Sequence, residues 1–322
     1  MLCSKYYLVG IFYGSNWEVP GTVHYEILDQ AIKKFESKYP NVKVEYEKGI
    51  LSNDYSEWLS EQILKGTEPD VYLVLDEDFN TLASLGALKN LDMLVGGDKE
   101  FDSNVFYSSV YKAGQYEGSQ YALPMECNPT LMFVNKTLLQ KEGIKVPDND
   151  WTWDDFYDIC KTIVKDSDGD GQMDQFGCYD YTWIQAVYSN GITPFNQSGT
   201  SSNFLDEKFS QSLEFVKRLE ATNRNYQVTS NDFDLGKVAF RPFTFSDYRT
   251  YMPYPWRIKK YSGFEWTCIR MPAGPSGDNR SEMSALMAGM SSRTEKKQCA
   301  WDFVKLLTTD TDIQKLVYED TS

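Results

Sequence analysis

The sequence is short of what most catalysts and nucleic-acid binders need. It holds one histidine, His24, in 322 residues, and contains no GxSxG elbow, P-loop, GxGxxG or HExxH. Positive charge is scarce: 32 Lys and Arg stand against 47 Asp and Glu, a formal net charge of −15. A surface of that sign repels phosphate backbones, which excludes nucleic acid as a partner, and it disfavours polybasic docking on anionic lipid. No apolar run approaches the roughly 20 residues a spanning helix needs. A secretory leader is missing too, because the N-terminus offers one Lys and then a mixed aromatic run that serves better as a strand. Either the chain stays in the cytosol or its export segment is not part of this sequence. The six cysteines (Cys3, Cys127, Cys160, Cys178, Cys268, Cys299) show no CxxC pair and no ligand-like spacing. In a chain this long they do not read as a disulfide framework, and whether any two pair is open. Internal repeats and low-complexity tracts are absent.

Aromatic residues, by contrast, are plentiful. They reach 15% of the chain, with 8 Trp and 22 Tyr. Cores of this size are built mainly from aliphatics, so the excess serves either flat stacking surfaces for a ligand or an aromatic core. The length exceeds the roughly 250–300 residues at which a single core stops growing, which predicts two domains.

The opening stretch sets the architecture. Tyr7 to Tyr13 is a short apolar strand, Gly14 to Gly21 a loop carrying Asn16 and Trp17, and Thr22 to Tyr39 an amphipathic helix stopped by Pro40. Val42 to Glu47 then alternates as a half-buried strand does. Two strands joined by a helix make a right-handed parallel unit, whose ligands sit beyond the carboxyl ends of the strands. A helix over Asp54–Lys65 ending at Gly66, a continuously apolar strand over Pro69–Leu75 and a helix over Phe79–Leu85 extend the pattern. Farther on, Thr152 and Asp155 have capping-box spacing, which makes Asp154 and Asp155 helix-start residues rather than an acid/base pair. Helical spacing returns over Leu205–Leu219. Arg241 to Trp266 is aromatic-dense and too irregular for one amphipathic element.

The opening strand, Tyr39-Pro40-Asn41-Val42-Lys43-Val44-Glu45, Pro69-Asp70-Val71 and Leu85-Gly86-Ala87-Leu88 together resemble the extracellular solute-binding proteins of carbohydrate ABC importers. Tyr121-Ala122-Leu123-Pro124 with Leu131 to Lys136, Trp151-Thr152-Trp153-Asp154-Asp155-Phe156, Met271-Pro272-Ala273-Gly274-Pro275 and Ala300 to Thr308 continue the resemblance in the same order. It implies an α/β, two-lobed periplasmic-binding-protein-like fold of type II, each lobe a mainly parallel sheet flanked by helices, with a sugar in the cleft. On that pattern residues 1–126 and 283–312 form the first lobe, and 127–282 with 313–322 the second. The family runs on past this point, so the last part of lobe two is expected to be missing. The resemblance also implies an extracellular location, anchoring as a lipoprotein, a monomer, and permease subunits of an importer as partners.

Two motifs carry chemistry. Asp166-Ser167-Asp168-Gly169-Asp170-Gly171-Gln172-Met173-Asp174 matches the EF-hand loop, with carboxylates at positions 1, 3, 5 and 9, a backbone carbonyl from Gln172 and the sharp-turn Gly at position 6. Position 12, where a full loop has a bidentate Glu, is Gly177. The motif predicts a structural calcium ion against the alternative of a solvated acidic turn. The second motif is Tyr179-Asp180-Tyr181-Thr182-Trp183 followed by Asn190-Gly191. A sugar presents an apolar C–H face to rings and a hydroxyl rim to carboxylates and amides. Trp183 with Asp180, and Trp17 with Asn16, supply both kinds. Asp76 and Glu126 are further acceptors expected at strand ends; Tyr248, Trp256 and Trp266 are stacking candidates. Trp58, Trp151 and Trp301 are assigned to the core or a lobe surface. Arg241, Arg249 and Arg257 would grip an acidic sugar if they faced the site, and otherwise are surface charge.

The expectation is a receptor that closes over an oligosaccharide and passes it to a membrane importer without breaking it. The competing expectation is a glycoside hydrolase using a carboxylate pair such as Asp76 and Glu126, since two carboxylates suffice for that reaction. Against it, no acid pair recurs on strand ends with the eightfold repetition of a barrel.

Overall fold

A computed structural model of the chain describes residues 5–13, 24–196, 200–250 and 263–321. The alternating signals of the first third become β1 (Lys5–Gly10), α1 (His24–Lys38), β2 (Val42–Tyr46), α2 (Ser52–Lys65), β3 (Val71–Val74) and α3 (Asp76–Ser84). β1 pairs in parallel with both β2 and β3. Gly66 closes α2 in the left-handed region at φ 72°, where a side chain would be strained. Two short helices, α4 (Asp92–Gly97) and α5 (Ser108–Ala113), and a small hairpin of β4 (Gln115–Tyr116) and β5 (Ser119–Gln120) lead into β6 (Ala122–Asn135).

β6 carries the chain out of the first compact unit, Met1–Asn128 with Ser284–Ser322, into the second, Pro129–Met283. The second unit holds α6 (Lys136–Lys141), α7 (Trp153–Ile163), β7 (Phe176–Cys178), α8 (Trp183–Ser189), α9 (Glu207–Ala221), α10 (Ser230–Asp234), β8 (Val238–Thr244) and β9 (Trp266–Ile269). Within the irregular stretch after Arg241, the described residues form the end of β8, a short 3-10 helix over Phe245–Thr250, and β9. The chain then returns through β10 (Met283–Met290) to α11 (Lys297–Thr309) and α12 (Thr311–Thr321) in the first unit.

The first unit orders its strands β2-β1-β3-β10-β6, with β10 antiparallel to β3. Its core is broadly aliphatic around Tyr55, Tyr72 and the fully buried Trp301. Tyr55 fixes the sheet from below: its hydroxyl donates toward the carbonyls of Gly10 (3.0 Å) and Leu73 (2.9 Å), tying β1 to β3. Trp301 donates its indole N–H to Asp98 Oδ2 at 2.9 Å, and Lys305 Nζ reaches the same oxygen at 2.6 Å.

The placement of 313–322 in the second lobe is corrected. Ile313 and Val317 of α12 are buried in the core of the first unit. Lys34 of α1 pairs with Asp310 and Asp312, each at 2.7 Å, at the start of that helix. An amphipathic helix goes where its apolar stripe finds an apolar partner, and here α1 and α11 supply it.

In the second unit the sheet is mixed rather than mainly parallel. β6 is antiparallel to β8 and to β9, and only β7 pairs in parallel, with β8. Its core is heavily aromatic: Phe156 meets Trp151, Tyr181, Phe215 and Phe240, with ring centroids 5.0–6.2 Å apart. Part of the aromatic excess is therefore core. Trp151 is buried, while Trp58 is half-buried and stacked on Tyr55.

Candidate functional site: the carboxyl end of the second unit's parallel strands

β7 and β8 run in parallel, with Phe176 opposite Val238 and Cys178 opposite Phe240, so the segments that follow them leave the same edge of the sheet. Open sheets place ligands at such carboxyl ends. After β7 the chain makes Tyr179, whose N–H donates to Phe240 O at 3.0 Å, and then turns at Asp180 with φ 63°. A positive φ is uncommon outside glycine, and Asp is among the residues that accept it. The turn leaves the Asp180 carboxylate exposed and drives Tyr181 inward, where burial pushes its phenol well above the ordinary range and hydrogen bonds with Ser189 and Trp153 partly offset the effect.

Thr182 then starts α8. Gln185 Oε1 accepts from the Thr182 N–H (2.9 Å) and hydroxyl (2.6 Å), an arm of the capping box. Trp183 is the first helical residue. It stands 42% exposed, with its ring tilted against Phe209 at 5.8 Å. Asp180 and Trp183 thus supply an acceptor and an indole three residues apart at one strand end.

Asn190, which follows that motif in the sequence, adds no amide there. It is fully buried, donating to Lys208 O (2.9 Å) and accepting from Ser276 N–H (3.0 Å), so it ties the end of α8 to the start of α9 and to the loop at Ser276. Trp266 lies in β9, half-buried, with one face on Phe133 (5.0 Å, 27°). Arg241 stacks over Phe243 (3.7 Å) and Tyr179 (4.8 Å), which favours a cation–π role over a grip on an acidic ligand. Phe245, directly after β8 and 43% exposed, is a ring at this edge that the sequence does not single out among the aromatics around it.

In the first unit Asp76 opens α3 immediately after β3, exposed, at the strand end where it was expected. With Glu77 and Asp78 it fills the first helical turn, where negative charge favours the helix dipole. The expectation for Glu126 is corrected: it lies inside the long strand β6, 6% exposed, and not at a strand end. Asn16, Trp17, Trp256 and Arg257 lie outside the described residues, as do the side chains of His24, Tyr248 and Arg249.

The acidic loop forms as a closed excursion between Lys165 and Gln175, which make an isolated antiparallel bridge. Gly169 (φ 80°) and Gly171 (φ 92°) supply the turns. Carboxylate oxygens of Asp166, Asp168 and Asp174 come within 4.8 Å of one another. That is about twice a calcium–oxygen distance of roughly 2.4 Å, so the three fit one hard cation. The N–H of Gly171 (2.7 Å), with that of Gly169 (2.6 Å), holds the Asp166 carboxyl below its usual range, hence ionised. Asp170 is not in the converging group; its Oδ1 accepts from the Gln172 N–H at 2.8 Å, and Gln172 is exposed. The missing ligand at position 12 has a packing cause. Gly177 lies in β7 against Cys160 of α7, and a Cβ there would collide with it.

The model of the bacterial extracellular solute-binding protein matches residues 20–313. The chain belongs to that family. The Multiple sugar-binding protein of Streptococcus mutans is 28% identical over 140 residues, 42% of this chain and 30% of that protein's length. Among solved structures, an ABC substrate-binding protein of Listeria monocytogenes in complex with cycloalternan superposes with a TM-score of 0.66 at 23% identity, over 98% of this chain and 78% of that one. The GacH receptor of Streptomyces glaucescens, solved unliganded and with acarbose, superposes at 0.66 and 19% identity, over 99% and 79%. These likenesses carry the fold: an α/β solute-binding architecture with a mixed sheet.

Proposed function

We propose that this extracellular solute-binding protein captures an oligosaccharide and delivers it to the permease subunits of an ABC importer, without bond chemistry. The observation that carries the reading is the exposed Trp183 indole three residues after the exposed Asp180, at the strand end where such sheets take ligands. An indole covers the apolar face of a pyranose and a carboxylate accepts from its hydroxyls. Support also comes from what the similar proteins are named for, multiple sugars in one case and cycloalternan and acarbose in the others. Capture by hinge closure belongs to the same reading: a ligand that favours a closed conformation shifts the population toward it. Affinity in the micromolar range corresponds to about −8 kcal/mol.

The test is a glycan array read with the wild type and Trp183→Ala. Binding by the first and not the second is expected; equal binding removes Trp183 from the site. Incubation with a bound oligosaccharide is expected to release no reducing ends, and their release would turn the reading to a hydrolase. A fall in radius of gyration on ligand addition would report closure.

Three further points belong to the proposal. A structural calcium ion sits on Asp166, Asp168 and Asp174, with other oxygens completing its shell. Calorimetric titration of chelator-treated protein should give heat and a raised melting temperature with millimolar calcium, and Asp168→Asn should abolish both. The protein is anchored outside the cell as a lipoprotein, which fatty-acid labelling in its own cell would detect. It acts as a monomer, and sedimentation would reveal a larger species if it does not.

A further inference from the structure

β8 carries one charged residue, Arg241, and holds it half-buried among rings. Its guanidinium carbon lies 3.7 Å from the ring centre of Phe243, 4.8 Å from that of Tyr179 and 5.6 Å from that of Phe233. Taking a charge out of water is costly, and ring faces return only part of that cost. A strand that needed filling alone would carry an aliphatic residue at this position. What the arginine adds is a hold on the neighbouring strand. β7 and β8 pair Cys178 with Phe240, so the register carried on by one residue sets Tyr179 opposite Arg241. The Tyr179 N–H donates to Phe240 O at 3.0 Å, and the backbone then turns at Asp180.

Asp180 keeps φ 63° without being glycine. Such a conformation costs energy and persists where the surrounding structure over-determines it. On one side of Asp180 the chain is anchored by Tyr181, which is buried; its hydroxyl accepts from Trp153 Nε1 at 3.1 Å and lies 3.3 Å from Ser189 Oγ. On the other side the anchor is Tyr179, whose ring meets Arg241. We infer that Arg241 is a positioning residue for ligand capture: through Tyr179 it holds the turn at Asp180, and so the direction of the Asp180 carboxylate. The inference rests on the oligosaccharide reading, and it gives Arg241 no contact with the sugar. Arginine suits this task better than lysine, because a planar guanidinium stacks on a ring while an ammonium is a strongly hydrated point charge.

The test compares Arg241→Met, Arg241→Lys, Tyr179→Leu and the double variant Arg241→Met with Tyr179→Leu, all well below their melting temperatures. Two properties are read: amide hydrogen exchange over residues 179–183, and calorimetric affinity for maltotriose, mannotriose and whichever glycan an array shows the wild type to hold. Arg241→Met should exchange about tenfold faster at the Tyr179 and Thr182 amides, since a turn released on one side opens more often. It should bind the glycan about tenfold more weakly, and Arg241→Lys should recover only part of that loss. The double variant should bind as Tyr179→Leu does, because a residue that acts through another adds nothing once the other is gone. If Arg241→Met does not fold, Tyr179→Leu carries the exchange arm alone, and wild-type exchange there overturns the inference. A lower melting temperature with wild-type exchange and affinity makes Arg241 structural and overturns it. Losses that multiply in the double variant make Arg241 act on its own, and overturn it as well. Failure of the oligosaccharide reading looks different: the wild type holds no glycan, or Trp183→Ala binds fully, and exchange then decides whether Arg241 holds the turn.

Discussion

Thr152-Trp153 and Thr182-Trp183 begin two helices of one unit by the same device, and the two indoles meet opposite fates. Each Thr is the N-cap, each Trp the first helical residue, and the side chain three residues on, Asp155 or Gln185, reaches back to the cap. Trp153 is 5% exposed, stacked on Phe215 at 4.2 Å and 6°, with its N–H shared between Tyr181 (3.1 Å) and Ser189 (3.2 Å). Trp183 is 42% exposed and, among the described residues, touches one ring, Phe209. The local sequence starts the helix. What lies over its first turn decides whether the indole stabilises the fold or is offered to a ligand: α9 covers the start of α7 through Phe215, while the start of α8 is only edged by Phe209.

The largest effect expected from breaking this comparison is on stability. Trp153→Ala should cost about 3–5 kcal/mol, as removal of a packed aromatic does, read as a fall in denaturant midpoint. Trp183→Ala should cost about 1 kcal/mol or less, since a side chain this exposed loses little burial. The affinities should run the other way, with Trp183→Ala losing glycan binding while Trp153→Ala keeps it below its lowered melting temperature. A large stability loss in Trp183→Ala would erase the distinction.

A smaller pair of effects sharpens it. Thr152→Ala and Thr182→Ala should each destabilise by about 1 kcal/mol, the usual worth of a cap. Only Thr182→Ala should also weaken glycan binding, by a few-fold, because it loosens the first turn that presents Trp183. Calorimetry on both variants separates the two consequences.

The least effect expected is on pH dependence. Burial raises the Tyr181 phenol above its ordinary value of 10.0, and Trp153 is one of the donors that temper the rise. A group whose folded value is raised contributes stability that is complete below the unfolded value and is lost as pH climbs through and beyond it. The melting temperature should therefore start to drop as pH rises past the ordinary phenol value of 10.0 and keep dropping above it, and Tyr181→Phe should flatten that drop. Trp183 makes no such bond, so Trp183→Ala should leave the alkaline slope as it is in the wild type.

Much of the first unit was legible in the sequence because its signals are local and repeat one motif. Gly66 as a left-handed stop, the strand expected over Pro69–Leu75 and found buried over Val71–Val74, and the helix before Pro40 each follow from a few adjacent residues. The second unit was less legible. Asn190 and Trp266 have the composition of ligand contacts, yet Asn190 bridges α9 and a loop through Lys208 and Ser276, and Trp266 has one face on Phe133. Nothing within a few residues of either one announces those partners. Glu126 was misplaced for the same kind of reason: the length of β6, Ala122 to Asn135, comes from neighbours on several sides rather than from its own alternation. Phe245 was hidden by abundance, since a stretch with many aromatics does not say which one ends a strand.

Sequence alone determined the charge, the absence of catalytic and phosphate-binding motifs, the parallel opening unit, the helix caps and the acidic loop, because each depends on residue type and short-range spacing. Tertiary structure alone decided which tryptophan faces solvent, why Gly177 cannot be the loop's twelfth ligand, where the last helix docks, and which polar side chains are consumed in holding loops together. Those outcomes turn on side chains that are distant in the chain and compete for the same volume. A one-dimensional pattern does not contain that competition until the chain has packed.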